Sequence, residues 1–186
     1  MAKTSKYGFE YVRHLEPNVS TPATLEYIIS DSAGALTIGD AVKLSSGYLM
    51  GAGTDSEKFG ILVGLVTSKG ENLFKTHETV TGSLSGDDTY NAASDNTTVD
   101  QVKGVVIYDD KALFKAYATG TITQAMVGQW FLGAVADGTY VDAVNYTTAQ
   151  GTWSVGTQDF QLIELLDSTS GLFRIGRSQL LNDVTI

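Results

Sequence analysis

Apolar and polar residues alternate along much of this chain in short segments that turn residues separate. Residues 34–50 show the pattern most clearly, with apolar side chains two positions apart at Leu36 and Ile38 and again at Val42 and Leu44. A period of two places alternate side chains on opposite faces of an extended strand, and glycine-containing turns typically end such strands. The pattern therefore predicts short β-strands joined by tight turns.

The same alternation continues towards the C-terminus. Residues 59–66 are an apolar run whose glycines suit close backbone approach or a bulge in a curved sheet. Residues 102–108 and 112–118 predict a hairpin with a short connection at Asp109 and Asp110. Further strands, the last two joined by a turn at 167–171, are predicted at 130–132, 140–144, 160–166 and 171–175.

Only one segment has the marks of a helix. Thr123 offers a capping hydroxyl, about one turn of helix formers follows, and Gly128 ends the segment. We therefore expect an all-β fold with at most one or two short helices. The expected organisation is a small β-barrel in residues 30–118 and a second β-rich lobe in residues 119–186.

The N-terminal 29 residues differ from the rest of the chain. They contain both prolines, Pro17 and Pro22, and lack sustained alternation. Their apolar residues need a surface to pack on, which predicts an extended N-terminal arm in residues 1–29. A tail that packs on its own domain or frays is an equal alternative at this point. The apolar residues concerned include Tyr7, Phe9, Tyr11, Val12 and Leu15.

Composition excludes several classes of protein. The chain has no cysteine, which excludes a disulfide framework, a thiolate metal site and a cysteine nucleophile. Its net charge of −9 and its singly scattered Lys and Arg residues argue against nucleic acid as a partner. The N-terminus lacks the apolar core of a signal peptide, and no run approaches the ~20 apolar residues of a membrane span. We therefore expect no membrane partner and a chain made inside a cell.

The search for catalytic or metal-binding patterns finds little. His14 and His77 are far apart, so each is predicted to be an exposed or arm-contact residue rather than a metal ligand. No Gly-x-Ser-x-Gly motif surrounds any serine. We expect no enzymatic activity, no metal and no cofactor. The acidic loop that contains Asp87, Asp88, Asp95 and Asp100 is predicted to be solvated rather than a calcium site, because its spacing matches no EF-hand.

Two groups of segments resemble proteins of tailed-bacteriophage heads. Residues 34–44, 47–50 and 60–66 resemble capsid decoration (cement) proteins, in which a strand pair containing Gly-Asp-x-Val precedes a Gly-x-x-x-Gly strand in a small β-barrel called a β-tulip. Residues 113–128 and 173–175 resemble the C-terminal half of phage head structural proteins. The resemblance covers most of the chain after Ser30.

The resemblance implies a non-enzymatic virion structural protein. Such a protein is made in the host cytoplasm and binds the major capsid protein at subunit junctions on the outer surface of the head. It implies a homo-oligomer, foremost a trimer, and no cofactor. Two alternatives remain open, namely another virion component such as a tail-tube or head-fibre subunit, and a carbohydrate-binding module that uses Tyr146 and Trp153. The residues predicted to contact the capsid are Tyr7, Phe9, Tyr11 and Leu15.

Overall fold

The chain is all-β in its computed structural model. The structure describes residues 8–30, 33, 35–52, 59–66, 89–91, 102–118, 120–133, 140–147 and 160–176. The strands in these residues are β1 (Glu10–His14), β2 (Thr24–Ile28), β3 (Ala35–Thr37), β4 (Ala41–Ser45), β5 (Tyr48–Gly51), β6 (Gly60–Val66), β7 (Thr89–Asn91), β8 (Lys103–Ile107), β9 (Ala112–Ala118), β10 (Trp130–Gly133), β11 (Tyr140–Thr147), β12 (Phe160–Asp167) and β13 (Ser170–Ile175).

These strands form two main sheets and one small one. The six-stranded sheet has the order β1-β9-β11-β10-β12-β13, with an additional pairing between β13 and β9. The five-stranded sheet has the order β2-β8-β6-β4-β5, and β3 pairs with β7 alone. The pairings between named strands are antiparallel except for a short parallel one between β9 and β11.

The barrel predicted for residues 30–118 is not confirmed. Strands β4, β5, β6 and β8 of this range form an open five-stranded sheet with β2, while β3 and β7 pair with each other. The end strands of the open sheet, β2 and β5, are linked by a single parallel bridge between Ile29 and Leu49 rather than by a ladder. Strand β9 lies in the other sheet, together with β10–β13. The predicted division at residue 118 therefore does not follow the boundary between the two sheets.

The short helix predicted at residues 123–128 is present as one 3-10 turn, Gln124–Met126. Gly128 ends it in the left-handed region, with φ of 88°. The predicted cap is not formed, because the Thr123 side chain makes no capping hydrogen bond. A 3-10 turn of three residues has few backbone N–H groups without a partner, so it forms without a capping hydrogen bond.

Two hydrophobic clusters hold the fold together. The larger one packs residues of both main sheets against each other, and the rings of Phe131 and Phe173 meet edge to face at 5.7 Å between centroids. The other cluster packs on the five-stranded sheet and contains Leu36 of β3 and Val42 of β4, two positions that the alternation marked as apolar. The larger cluster is made up of Phe9, Ala41, Ala52, Ile61, Ile107, Ala112, Phe114, Ala116, Ala118, Ile122, Phe131, Phe160, Leu162, Phe173 and Ile175.

The N-terminal residues are part of both sheets rather than a free arm. Strand β1 pairs with β9 in one sheet, and β2 pairs with β8 in the other. The prediction of an extended arm is therefore wrong for residues 8–29, and the alternative of packing on the chain's own sheets holds. Burial of the Phe9 ring, which is 3% exposed, favours this arrangement because it removes a large apolar surface from water.

The predicted turn between β12 and β13 is held by one carboxylate. Asp167 accepts hydrogen bonds from the Thr169 N–H at 2.7 Å, the Thr169 hydroxyl at 2.9 Å and the Ser170 hydroxyl at 2.6 Å. The Ser170 hydroxyl first, and then the two Thr169 donors, lower the pKa of Asp167 to about 2. The ionised form of Asp167 is therefore the form that the folded turn binds.

Asp167→Asn is expected to lower the melting temperature at pH 7, because the amide replaces a charged acceptor of three hydrogen bonds. The folded pKa lies below the ordinary value of 3.8, so the stabilising effect is present above pH 3.8 and is lost as the pH falls through about 2. Melting curves of both proteins from pH 7 to pH 2 should converge at the acidic end. A difference in melting temperature that stays constant with pH would contradict this account. The control is Asp110→Asn at the β8–β9 turn.

Candidate functional site

The residues predicted to contact the capsid have very different environments. Tyr7 lies outside the described residues. Phe9 is buried in the larger cluster, and Tyr11 packs against that cluster from a half-buried position. Burial, with a smaller contribution from the Asp109 carboxylate, raises the pKa of the Tyr11 hydroxyl. Leu15 is 43% exposed. Among the described residues of this set, only Leu15 is therefore exposed. The buried Phe9 ring offers almost no surface to a partner, and capsid contact by these residues stays a prediction.

The Phe9 ring is the anchor of the N-terminal segment. It stacks on Phe160 with 4.2 Å between centroids and meets Phe114 edge to face at 6.4 Å. The Phe9 N–H donates to the Gly39 carbonyl at 2.8 Å. A Cβ on Gly8 would lie 2.4 Å from the Gly39 oxygen, so the two backbones touch where only glycine fits. The N-terminal segment thus crosses directly over the turn between β3 and β4.

A polar cluster fastens the end of β1 to the turn between β8 and β9. The His14 Nε2–H donates to Asp109 Oδ2 at 3.0 Å, and His14 Nδ1 accepts the Glu16 N–H at 3.0 Å. These two bonds assign the proton to Nε2. The Lys111 N–H donates to Asp109 Oδ1 at 2.9 Å. Of the two positions predicted for His14, the exposed one is therefore wrong, since its side chain is 3% exposed, while a contact between the N-terminal segment and the rest of the chain is formed.

Glu16 and Lys111 close this cluster at the surface. The Lys111 ammonium donates to Glu16 Oε1, and both side chains are about half exposed. The hydrogen bond to Lys111 lowers the pKa of Glu16, and the same bond raises the pKa of Lys111. An ion pair at this exposure adds little to the free energy of unfolding. We infer that its role is to position the chain after β1.

A second ion pair crosses the sheet. Arg13 Nη2 donates to Glu164 Oε2 at 2.8 Å. Arg13 is on β1 and Glu164 is on β12, and strands β9 and β13 lie between these two strands in the sheet. Nothing in the sequence pairs these residues, because 151 positions separate them. Arg13 lies opposite Leu113, so the pair is on the sheet face that does not carry the Phe114 and Phe173 rings.

Exposed apolar side chains lie close in sequence to both members of the Arg13–Glu164 pair. Val12 lies at the β1 bulge and is 47% exposed, and Leu166 lies at a bulge of β12 and is 45% exposed. A bulge adds one residue to a strand and turns its side chain out of the regular alternation. We call Val12, Arg13, Leu15, Glu164 and Leu166 the β1 surface. Apolar side chains around an arginine are typical of the centres of protein interfaces.

Other candidate sites lie partly outside the described residues. Asp87, Asp88, Asp95, Asp100 and Trp153 are outside them, and so is His77, while Tyr146 is placed on β11. In the part of the chain that the structure describes, no group of three or more His, Asp or Glu side chains could hold a metal ion. No helix among these residues is long and apolar enough to cross a membrane.

His14→Ala is expected to lower the free energy of unfolding by about 1–3 kcal/mol, because it leaves the Glu16 N–H and one oxygen of Asp109 without their partner. Urea unfolding followed by circular dichroism measures the loss. The control is Arg13→Ala, the neighbouring residue whose ion pair is exposed, with an expected loss of at most about 1 kcal/mol. Equal losses in the two variants would contradict the structural role of His14.

Comparisons of the whole chain with protein-family models, with curated proteins and with solved structures found no match.

Proposed function

We propose that this protein is a non-enzymatic virion structural protein, a decoration (cement) protein that binds the outer surface of a phage head where subunits of the major capsid protein meet. The observation that supports it best is the arrangement of the segments that resemble such proteins. Strands β4 and β5 form a hairpin directly after the Gly39-Asp40 turn, and β6, with Gly60 and Gly64, pairs with β4. These segments follow one another along the chain in the order that the resemblance implies.

The charge of the chain agrees with this role. A net charge of −9 opposes contact with packaged DNA and suits the outer face of a shell. We propose that the protein is made in the host cytoplasm, that it binds neither nucleic acid nor membranes, and that it needs no cofactor. A homo-oligomer, foremost a trimer, would bind several capsid subunits at once and gain avidity from them.

We place the capsid contact on the β1 surface. Leu15 and Val12 are its exposed apolar residues nearest the N-terminus, and Arg13 lies between them with its ion pair to Glu164. Phe9 and Tyr11 act indirectly, because they fix β1 in the sheet and so fix the direction of Leu15. This proposal retains Leu15 from the predicted contact residues and assigns the buried aromatic residues to support.

The test mixes the purified protein with capsid shells of the encoding phage that were assembled without it. Sedimented shells should carry bound protein that saturates at a fixed number of copies per capsomer. Leu15→Ser should weaken binding roughly tenfold, which corresponds to about 1.4 kcal/mol of lost apolar contact. The matched control is Tyr48→Ser, a residue of similar exposure at the β4–β5 turn of the other sheet, which should leave binding unchanged.

Other outcomes would point elsewhere. Absence of binding together with rings or filaments of the purified protein would contradict the decoration role and favour a tail-tube subunit. Absence of binding with a monomer that recognises glycans would favour a carbohydrate-binding module. Equal binding of the Leu15 and control variants would remove the contact from the β1 surface while leaving the decoration role in place.

A further inference from the structure

The N-terminal segment is held by parts of the chain that are distant in sequence. Phe9 binds Gly39, which is 30 positions away, and the other contacts of residues 8–16 described above run to the β8–β9 turn, β9 and β12. The segment therefore packs on the rest of the fold through contacts that a strand from a separate chain could also make. A terminal strand that is held in this way can be supplied by any chain that brings the same residues to the same place.

The connection to the next strand suits transfer of this segment to a neighbour. Residues 17–23 join β1 in one sheet to β2 in the other, and most of them are exposed. The connection starts with a turn in which the Val19 N–H donates to the Glu16 carbonyl at 3.2 Å, and Pro17 lies inside this turn. Opening of the turn would give seven residues that span at most roughly 25 Å when fully extended. Strand β2 keeps its pairing with β8 in either case.

The segment and its site have complementary charges. Glu10 lies opposite Lys115 in the ladder, Arg13 binds Glu164, and Glu16 binds Lys111. Opposite charges across a contact select the correct partner and register. The three pairs therefore fit the N-terminal strand in one register, whether the strand comes from the same chain or from an identical one.

We propose that β1 is exchanged between copies of this chain, so that in the oligomer the site on β9 holds β1 of a second copy. The exchanged form makes the same β1 contacts as the unexchanged one, but makes them between two copies, with residues 17–23 of each chain spanning from one copy to the other. The high local concentration of copies in an assembly favours it. The inference rests on the proposed homo-oligomer and does not depend on the proposed binding to a capsid.

The absence of cysteine allows a direct test with the full chain. Glu10→Cys and Lys115→Cys place two thiols directly opposite each other on β1 and β9. The two single variants are co-expressed with different affinity tags and oxidised. Exchange predicts a heterodimer that carries both tags, separates on reduction, and has twice the 19.8 kDa chain mass. The double variant should form covalent multimers.

The control pair is Lys43→Cys with Met50→Cys, which lie opposite each other in the β4–β5 hairpin. This double variant should form a disulfide only within one chain, and its single variants should give no mixed dimer when co-expressed. Circular dichroism of every variant verifies that the sheets form. If the Glu10 and Lys115 double variant closes only within one chain, and the single variants give no heterodimer, the exchange is overturned.

Discussion

Replacing Phe9 with alanine is expected to lower the free energy of unfolding by about 3–5 kcal/mol, the usual cost of removing a buried phenylalanine ring. The ring is 3% exposed and contacts Phe114 and Phe160, which belong to two further strands of the six-stranded sheet. Its loss leaves a cavity between β1 and the rest of the core. Urea unfolding at pH 7, followed by circular dichroism, measures the difference.

The matched control for this prediction is Val12→Ala. Val12 lies three positions away on the same segment, but it is 47% exposed, so its truncation should change the free energy of unfolding by no more than about 0.5 kcal/mol. A loss below about 1 kcal/mol for Phe9→Ala would show that residues 8–16 do not contribute to the core. For the same reason, removal of the whole N-terminal segment is expected to disrupt the fold, and Leu15→Ser is the cleaner test of capsid binding.

Features that depend on neighbouring residues in sequence could be predicted. The all-β class, the β12–β13 hairpin and the 3-10 turn before Gly128 follow from alternation and from turn residues, and each depends on a few neighbouring positions. The predicted hairpin of β8 and β9 is wrong, because these strands do not pair with each other. The two strands are consecutive, as expected, but they belong to different sheets.

Features that depend on pairing between distant strands could not be predicted. An alternating pattern states which side chains share a face, and it leaves open which strand lies beside which. The pairing of β1 with β9 therefore had no signal in the sequence, nor did the contact of Arg13 with Glu164. The apolar residues of the N-terminus have the same composition whether they pack on their own core or on a neighbour, so the sequence alone did not show that Phe9 packs on its own core.

The close backbone approach expected in the glycine-containing run is confirmed at Gly60. A Cβ at this position would lie 2.3 Å from the Ile107 oxygen and 2.5 Å from Val106 Cγ1, both on the paired strand β8. A carbonyl oxygen in a ladder cannot move aside as the end of a flexible side chain can. Any larger residue at position 60 must therefore separate β6 from β8 at the centre of the five-stranded sheet.

Gly60→Ala is accordingly expected to lower the free energy of unfolding by about 3 kcal/mol or more, because relief of the contact requires a backbone shift. This loss is at the upper end of the range for overpacked cores. Gly64 provides the control on the same strand. Its added Cβ would meet Val105 at 3.5 Å, an ordinary contact, and alanine loses less backbone entropy on folding than glycine does. The free energy of unfolding of Gly64→Ala should therefore stay within about 1 kcal/mol of that of the parent protein. Urea unfolding of both variants measures the contrast, and equal stability of the two would mean that β6 and β8 do not approach as closely as the ladder places them.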